Sequence, residues 1–182
     1  MKKQPEVTEK TRQAFIDAFC KLYTEKPIEK ISVQEVTKIA GYNRSTFYQY
    51  FCDIYELLSY IENDVIDYIR RKMPQNSSKS KILERSTQDA VTLLKEKDAY
   101  LNALLGEFGN NRFIERLKAE FINQLDNFGF PSSNPLTPYY IEFHLSITIS
   151  LYRFWHFRGK DLSPDELVGL INRLSTKGLS FH

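Results

Sequence analysis

The chain has 182 residues, 42% of them apolar and 26% charged, and a net charge of only +2. That length holds one domain, or a small domain joined to a larger one, and the apolar fraction can build a packed core. Two cysteines are too few for a disulfide framework, and there is no global basic field of the kind that marks an indiscriminate nucleic-acid binder. Residues 1–50 nonetheless hold nine Lys/Arg against six acids, a local excess whose effect depends on placement. No signal-peptide pattern precedes Cys20 and Cys52, so both are expected as reduced packing residues of a cytoplasmic protein.

Ser32 to Phe51, SVQEVTKIAGYNRSTFYQYF, carries the punctuation of two short helices and a tight turn. Ser32 and Glu35 make a capping box, each side chain satisfying a free backbone N–H. Val33, Val36, Thr37 and Ala40 recur at the spacing of one buried helical face. Gly41 supplies the positive φ that ends this helix, and Asn43 can cap the next. On that second helix Phe47 and Phe51 face the core, while Arg44, Ser45, Tyr48 and Gln49 face outward. Such a face suits a groove lined by phosphates and base edges, so the pattern is a helix-turn-helix.

With its Thr46-Phe47-Tyr48-x-Tyr50-Phe51 signature, this helix pair resembles the TetR family of bacterial transcriptional regulators, which usually has Thr-Phe/Leu-Tyr-x-His/Tyr-Phe here. The resemblance extends to a long first helix from about Thr8 to Lys26, the linker 27–31, and a long fourth helix beginning near Asp53, so it covers residues 8 to about 60. One departure is Ile54, where the family commonly carries a phosphate-binding lysine. The resemblance implies an all-α fold: a helix-turn-helix domain over 1–52, and a helical regulatory and dimerisation domain over 53–182 joined by the helix 53–73. It also implies a homodimeric repressor of a pseudo-palindromic DNA operator, released by a small-molecule effector. In that reading Thr46, Tyr48 and Tyr50 fix the DNA backbone, and Arg44, Ser45 and Gln49 reach base edges. Simple packing is the competing role for Tyr48 and Tyr50.

Beyond this point the signals remain helical. The fourth helix opens with Asp53 and Glu56, carries Ile54, Leu57, Leu58, Ile61, Val65 and Ile69 on one face, and ends in the basic run 70–72, which suits a helix C-terminus. Residues 74–80, PQNSSKS, read as a loop and boundary. Helices are expected over 82–97, 98–105 and 110–128, then a proline-rich loop over 129–138. In 139–157, alternation of Ile141, Phe143, Leu145, Ile147, Ile149 and Leu151 argues for a strand, but the run is too long for one. Wound as a helix, it has two opposed apolar stripes: Ile141, Leu145, Ile149 and Tyr152, and Phe143, Ile147, Leu151 and Phe154. One stripe can pack on its own domain; the other then needs a second chain. Glu142, His144, Arg153 and His156 rule out a membrane span. Ser163, Pro164 and Glu166 open a last helix with Leu167, Leu170, Ile171 and Leu174 on one face and Gly178 to close it. In the family the last two long helices pair across the dimer. The interface set is therefore Phe143, Leu145, Ile147, Ile149, Leu151, Leu167, Leu170, Ile171 and Leu174.

No Gly-rich phosphate loop, nucleophile motif or paired Cys/His set is present, so no enzyme, cofactor or metal is expected. His144, His156 and His182 lack metal-ligand spacing. An effector pocket could be lined by Tyr100, Phe108, Phe113, Phe121, Tyr139, Tyr140, Phe143 and Trp155, though the same residues would serve a core. Leu104 to Glu107, Phe113-Ile114 and the last two helices loosely resemble a TetR subgroup that includes a co-activator of dihydroxyacetone metabolism genes. The competing function is a helical adaptor or co-activator acting mainly through protein or ligand binding, for which Ile54 in place of lysine speaks.

Overall fold

A computed structural model of the chain describes residues 5–72, 79–124 and 134–177. Among these, apart from one 3-10 turn at Ile28–Lys30, the regular elements are α-helices. They are α1 (Pro5–Glu25), α2 (Val33–Ala40), α3 (Arg44–Phe47), α4 (Ile54–Lys72), α5 (Lys79–Glu96), α6 (Asp98–Leu105), α7 (Asn111–Gln124), α8 (Thr137–Phe157) and α9 (Pro164–Lys177). The all-α expectation holds. Residues 79–80, read from sequence as loop, belong to α5, while 73–78, 125–133 and Gly178 lie outside the described residues.

The packing separates into two units: Met1–Val65 with Ala99–Asn110, and Ile66–Asp98 with Asn111–His182. In the first, Phe15, Phe19 and Tyr23 recur every four residues along α1 and are fully buried, with Val36, Phe47, Phe51, Leu57 and Ile61 around them. Each such side chain contributes roughly 1.5–3 kcal/mol by leaving water, so this cluster outweighs the weak propensity of helices as short as α2 and α3. The unit also takes in α6, whose Leu101, Leu104 and Leu105 are buried and whose Tyr100 hydroxyl donates to Gln13 Oε1 at 3.1 Å. The chain leaves α6 so tightly that a Cβ on Gly109 would lie 2.2 Å from the Leu104 carbonyl oxygen, which only glycine avoids.

The second unit is built from α5, α7, α8, α9 and the end of α4. Its core is Val91, Phe113, Leu117, Ile141, Leu145, Ile149, Tyr152, Trp155, Leu167, Val168 and Ile171. On α8 the period-2 alternation loses to the 3.6-residue period, because the buried positions 141, 145, 149, 152 and 155 form a single helical stripe. The α9 box forms as read: the Ser163 N–H donates to Glu166 Oε2 at 2.8 Å, and the Glu166 N–H to Ser163 Oγ at 3.3 Å. No described helix is long and apolar enough to cross a membrane.

Candidate nucleic-acid interface

Local capping sets the α2–α3 pair. The Ser32 N–H donates to Glu35 Oε2 at 3.0 Å and the Glu35 N–H to Ser32 Oγ at 3.3 Å, so the box that opens α2 is complete. Lys26 Nζ lies 2.5 Å from the other carboxylate oxygen. Lys26 first, then Ser32, hold the Glu35 carboxyl down at about 2. Gly41 ends α2 at φ 74°, and the Tyr42 N–H closes back on the Thr37 carbonyl at 3.0 Å.

Asn43 then caps α3 through one oxygen. Asn43 Oδ1 accepts the Thr46 N–H at 2.8 Å, the Ser45 hydroxyl at 2.7 Å and the Thr46 hydroxyl at 2.9 Å. Regular α-helix lasts only from Arg44 to Phe47. Gln49 and Tyr50 follow with tighter bonds, to the Thr46 carbonyl at 3.2 Å and the Phe47 carbonyl at 2.9 Å. Tightening of this kind is how a short helix satisfies its last carbonyls. Beneath it Phe47 is fully buried, edge-on to Phe15 with ring centroids 5.3 Å apart and 5.6 Å from Phe51.

This anchoring leaves Arg44, Ser45, Tyr48 and Gln49 exposed on one surface. Arg44 has no ion-pair partner among the described residues, and neither has the exposed Lys38 at the end of α2. Tyr48 is 51% exposed. Thr46 and Tyr50 are only half-exposed, and their placement differs from that of their neighbours. The Thr46 hydroxyl is already donated to Asn43, and the Tyr50 ring lies 5.9 Å from Phe15 with the Arg12 guanidinium 5.8 Å above it. Two exposed tyrosines of the same unit had no separate signal in the sequence. Tyr42 is held by the Thr11 hydroxyl at 3.4 Å and against Phe15 at 5.4 Å, and Tyr55 stands exposed on the first turn of α4. Exposed tyrosines beside a basic short helix are the pattern that could have raised them.

Ile54 is buried at 6% exposure. It is a core residue at the start of α4, so this position supplies no cation to a DNA backbone. The Asp53 carboxylate accepts the Glu56 N–H at 2.8 Å, and Glu56 reaches the Cys52 N–H, so α4 is capped much as the sequence suggests.

The two α8 stripes differ sharply in exposure. Leu145 and Ile149, with Leu167 and Ile171 of α9, are buried inside their own unit, whereas Phe143, Phe154, Phe157, Tyr139 and Tyr140 are exposed. Ile147, Leu151, Leu170 and Leu174 are half-exposed. Of the aromatic set read as a pocket, Tyr100 is buried and Phe108 half-buried in the first unit, Phe113 is fully buried in the second, Phe121 is half-buried and Tyr140 exposed. Trp155 borders a groove of about 510 Å³ with Lys95, Asp98, Lys160 and Leu162. A second groove, of about 600 Å³, runs between α7 and α8, lined by Lys118, Glu142 and Arg153 among others.

Comparison with known proteins bears on this part of the chain most directly. Residues 15–61 match the model for bacterial regulatory proteins of the tetR family. The uncharacterized HTH-type transcriptional regulator YwcC of Bacillus subtilis (strain 168) is 29% identical over 93 residues, a stretch covering 47% of this chain and 41% of that protein. The match thus spans about two fifths of the curated relative's length. Among solved structures, the fatty acid degradation regulator FadR from Bacillus halodurans covers all of both chains at 18% identity with a TM-score of 0.70. A tetR-family transcriptional regulator from Streptomyces coelicolor (18% identity, 92% of this chain and 79% of that one) gives 0.64. The dihydroxyacetone kinase operon activator DhaS (22% identity, 91% and 93%) gives 0.56. At these identities the solved structures speak for the fold.

Proposed function

We propose that this chain, which belongs to the TetR family of transcriptional regulators, works as a cytoplasmic homodimeric repressor that reads a pseudo-palindromic operator and lets go of it when a small molecule binds. The observation that carries the reading is the outer surface of α3. Arg44, Ser45, Tyr48 and Gln49 stand clear of a scaffold fixed by the Asn43 cap and the buried Phe47. Arginine suits the paired acceptors of guanine and glutamine the edge of adenine, while the exposed Tyr48 hydroxyl suits a phosphate; Thr46 and Tyr50 would have to give up their contacts to Asn43 and to Phe15 and Arg12 to do the same. The division of labour assigns 1–52 to reading and 53–182 to dimerisation and regulation, with α4 joining them.

The dimer is assigned to the α8 stripe of Phe143, Ile147, Leu151 and Phe154, flanked by Leu170 and Leu174 of α9. A row of exposed aromatics on one helix is what a second copy would cover. A two-fold dimer then presents α3 twice, to half-sites one helical turn or a multiple apart. An effector that changes the separation of the two heads must be coupled reciprocally, each ligand weakening the other by the same factor. Selection of duplexes from random sequence, followed by binding at several salt concentrations, tests the reading. It expects an enriched pseudo-palindrome whose affinity falls steeply with salt as counterions are released. Recovery of no sequence, or salt-insensitive binding, would refute it.

A further inference from the structure

Arg12 of α1 reaches two other parts of its own unit. Its guanidinium lies 5.8 Å from the ring centre of Tyr50, just past the end of α3, and 5.6 Å from that of Tyr60 on α4. Both rings are themselves anchored. Tyr50 lies 5.9 Å from the buried Phe15, and Tyr60 lies 5.7 Å from the buried Phe51. At these separations the ring quadrupoles attract a cation, so the charge is held in place by aromatic faces rather than by a buried carboxylate.

The counter-ion of Arg12 is weakly placed. Arg12 Nη1 donates to Glu9 Oε2, one turn back on α1, with the Glu9 side chain 61% exposed and that of Arg12 29% exposed. An ion pair at this spacing and exposure is screened by water and easily exchanged. Guanidinium carries five N–H donors in one rigid plane, and stacking on a ring occupies its faces, not those donors. A planar group fixed in this way suits an incoming oxyanion, above all a phosphate that takes two parallel N–H bonds.

The charge around Tyr50 gives the arrangement its consequence. The start of α4 brings no cation: Ile54 is buried, and Asp53 and Glu56 are acids engaged in capping. Arg44 stands on the first turn of α3 and Lys38 on the last turn of α2, whereas Tyr50 follows the far end of α3. The cation recorded against the Tyr50 ring is Arg12.

We propose that Arg12, carried on Tyr50 and Tyr60, binds a phosphate of the DNA backbone beside the end of α3, and that this phosphate displaces Glu9. The proposal rests on the DNA-reading function above and assigns that function one further contact, made by α1. Tyr50 and Tyr60 are positioning residues in it, acting through the guanidinium that they hold.

The test uses the full-length parent with Arg12→Gln, Arg12→Lys and Glu9→Gln, and as probe a duplex that the parent selects from random sequence. Affinity is measured across a series of salt concentrations. Arg12→Gln should weaken all duplexes alike and flatten the slope of log affinity against log salt by about 0.9 for each copy bound. Arg12→Lys keeps the charge and should keep the parent slope. Glu9→Gln removes the competing carboxylate and should tighten binding by about twofold, the worth of an exposed pair one turn apart. A parent slope in Arg12→Gln overturns the proposal, even where affinity falls. A slope equally flattened in Arg12→Gln and Arg12→Lys also overturns it, because stacking and not charge would then be what matters. If Arg12→Gln fails to fold, Glu9→Gln decides, and binding no tighter than the parent's overturns the proposal. A parent that selects no duplex removes the DNA-reading proposal and this contact with it; a parent that selects one, with Arg12→Gln at the parent slope, removes the contact alone.

Discussion

Replacing Phe143 with alanine separates the stability of a single chain from that of the proposed dimer. Phe143 is 54% exposed, so within one chain it has shed only about half of its contact with water. Full burial of a phenylalanine contributes roughly 1.5–3 kcal/mol, which leaves about 0.8–1.5 kcal/mol to be gained when a second copy covers it. A two-fold interface contains the substitution twice, so dimerisation should weaken by roughly 1.5–3 kcal/mol, or about 10- to 150-fold in Kd. Leu145, on the other stripe, is only 4% exposed. Its replacement by alanine should instead cost the single chain about 2–5 kcal/mol, with the dimer affected only through unfolding. Sedimentation over a concentration series reads the first effect, and denaturant melts at fixed concentration read the second. Equal dimer affinity for parent and Phe143→Ala would refute the assignment of this stripe, and a parent that stays monomeric at micromolar concentration would refute the dimer.

Three further outcomes are expected. Gln49→Ala should relax base preference at particular operator positions by about 1–3 kcal/mol, whereas Tyr48→Phe should weaken all duplexes alike; binding arrays over single-base variants distinguish the two patterns. Asn43→Ala removes the oxygen that holds Ser45 and Thr46, and should cost about 0.5–2 kcal/mol of stability in thermal melts together with DNA affinity; a melt identical to the parent's would mean the cap contributes nothing. Glu35, depressed from 4.5 to about 2 in the folded chain, contributes stability that is fully present above pH 4.5 and lost as pH falls towards 2. Glu35→Gln should therefore flatten the stability profile across that window and leave its shape at neutral pH unchanged.

The α2–α3 pair was legible in the sequence because its determinants are local. The Ser32–Glu35 box, the Gly41 turn and the Asn43–Thr46 cap are bonds between residues two to five apart, and the chain makes them wherever those residue types recur at that spacing. The same holds for the last helix, announced by Ser163 and Glu166. Periodicity also revealed that α8 has two apolar stripes, since the positions of side chains around a helix follow from the count of residues alone.

Tertiary packing decided what local order left open. Both α8 stripes are apolar, and only the packing of the second unit selects Leu145 and Ile149 for its core while leaving Phe143 and Phe154 in water. Tyr48 and Tyr50 are alike in composition and differ by two positions, yet the tight turn after Phe47 sends one outward and lays the other against Phe15 and Arg12. Asp98 read as an ordinary helix start. Its partners His156 and Lys160 lie 58 and 62 residues away, and no sequence pattern links residues at that separation. Backbone capping is satisfied within a few residues of chain, whereas side-chain burial and ion pairing depend on which elements meet, and that follows only from removing the most apolar surface from water across the whole fold.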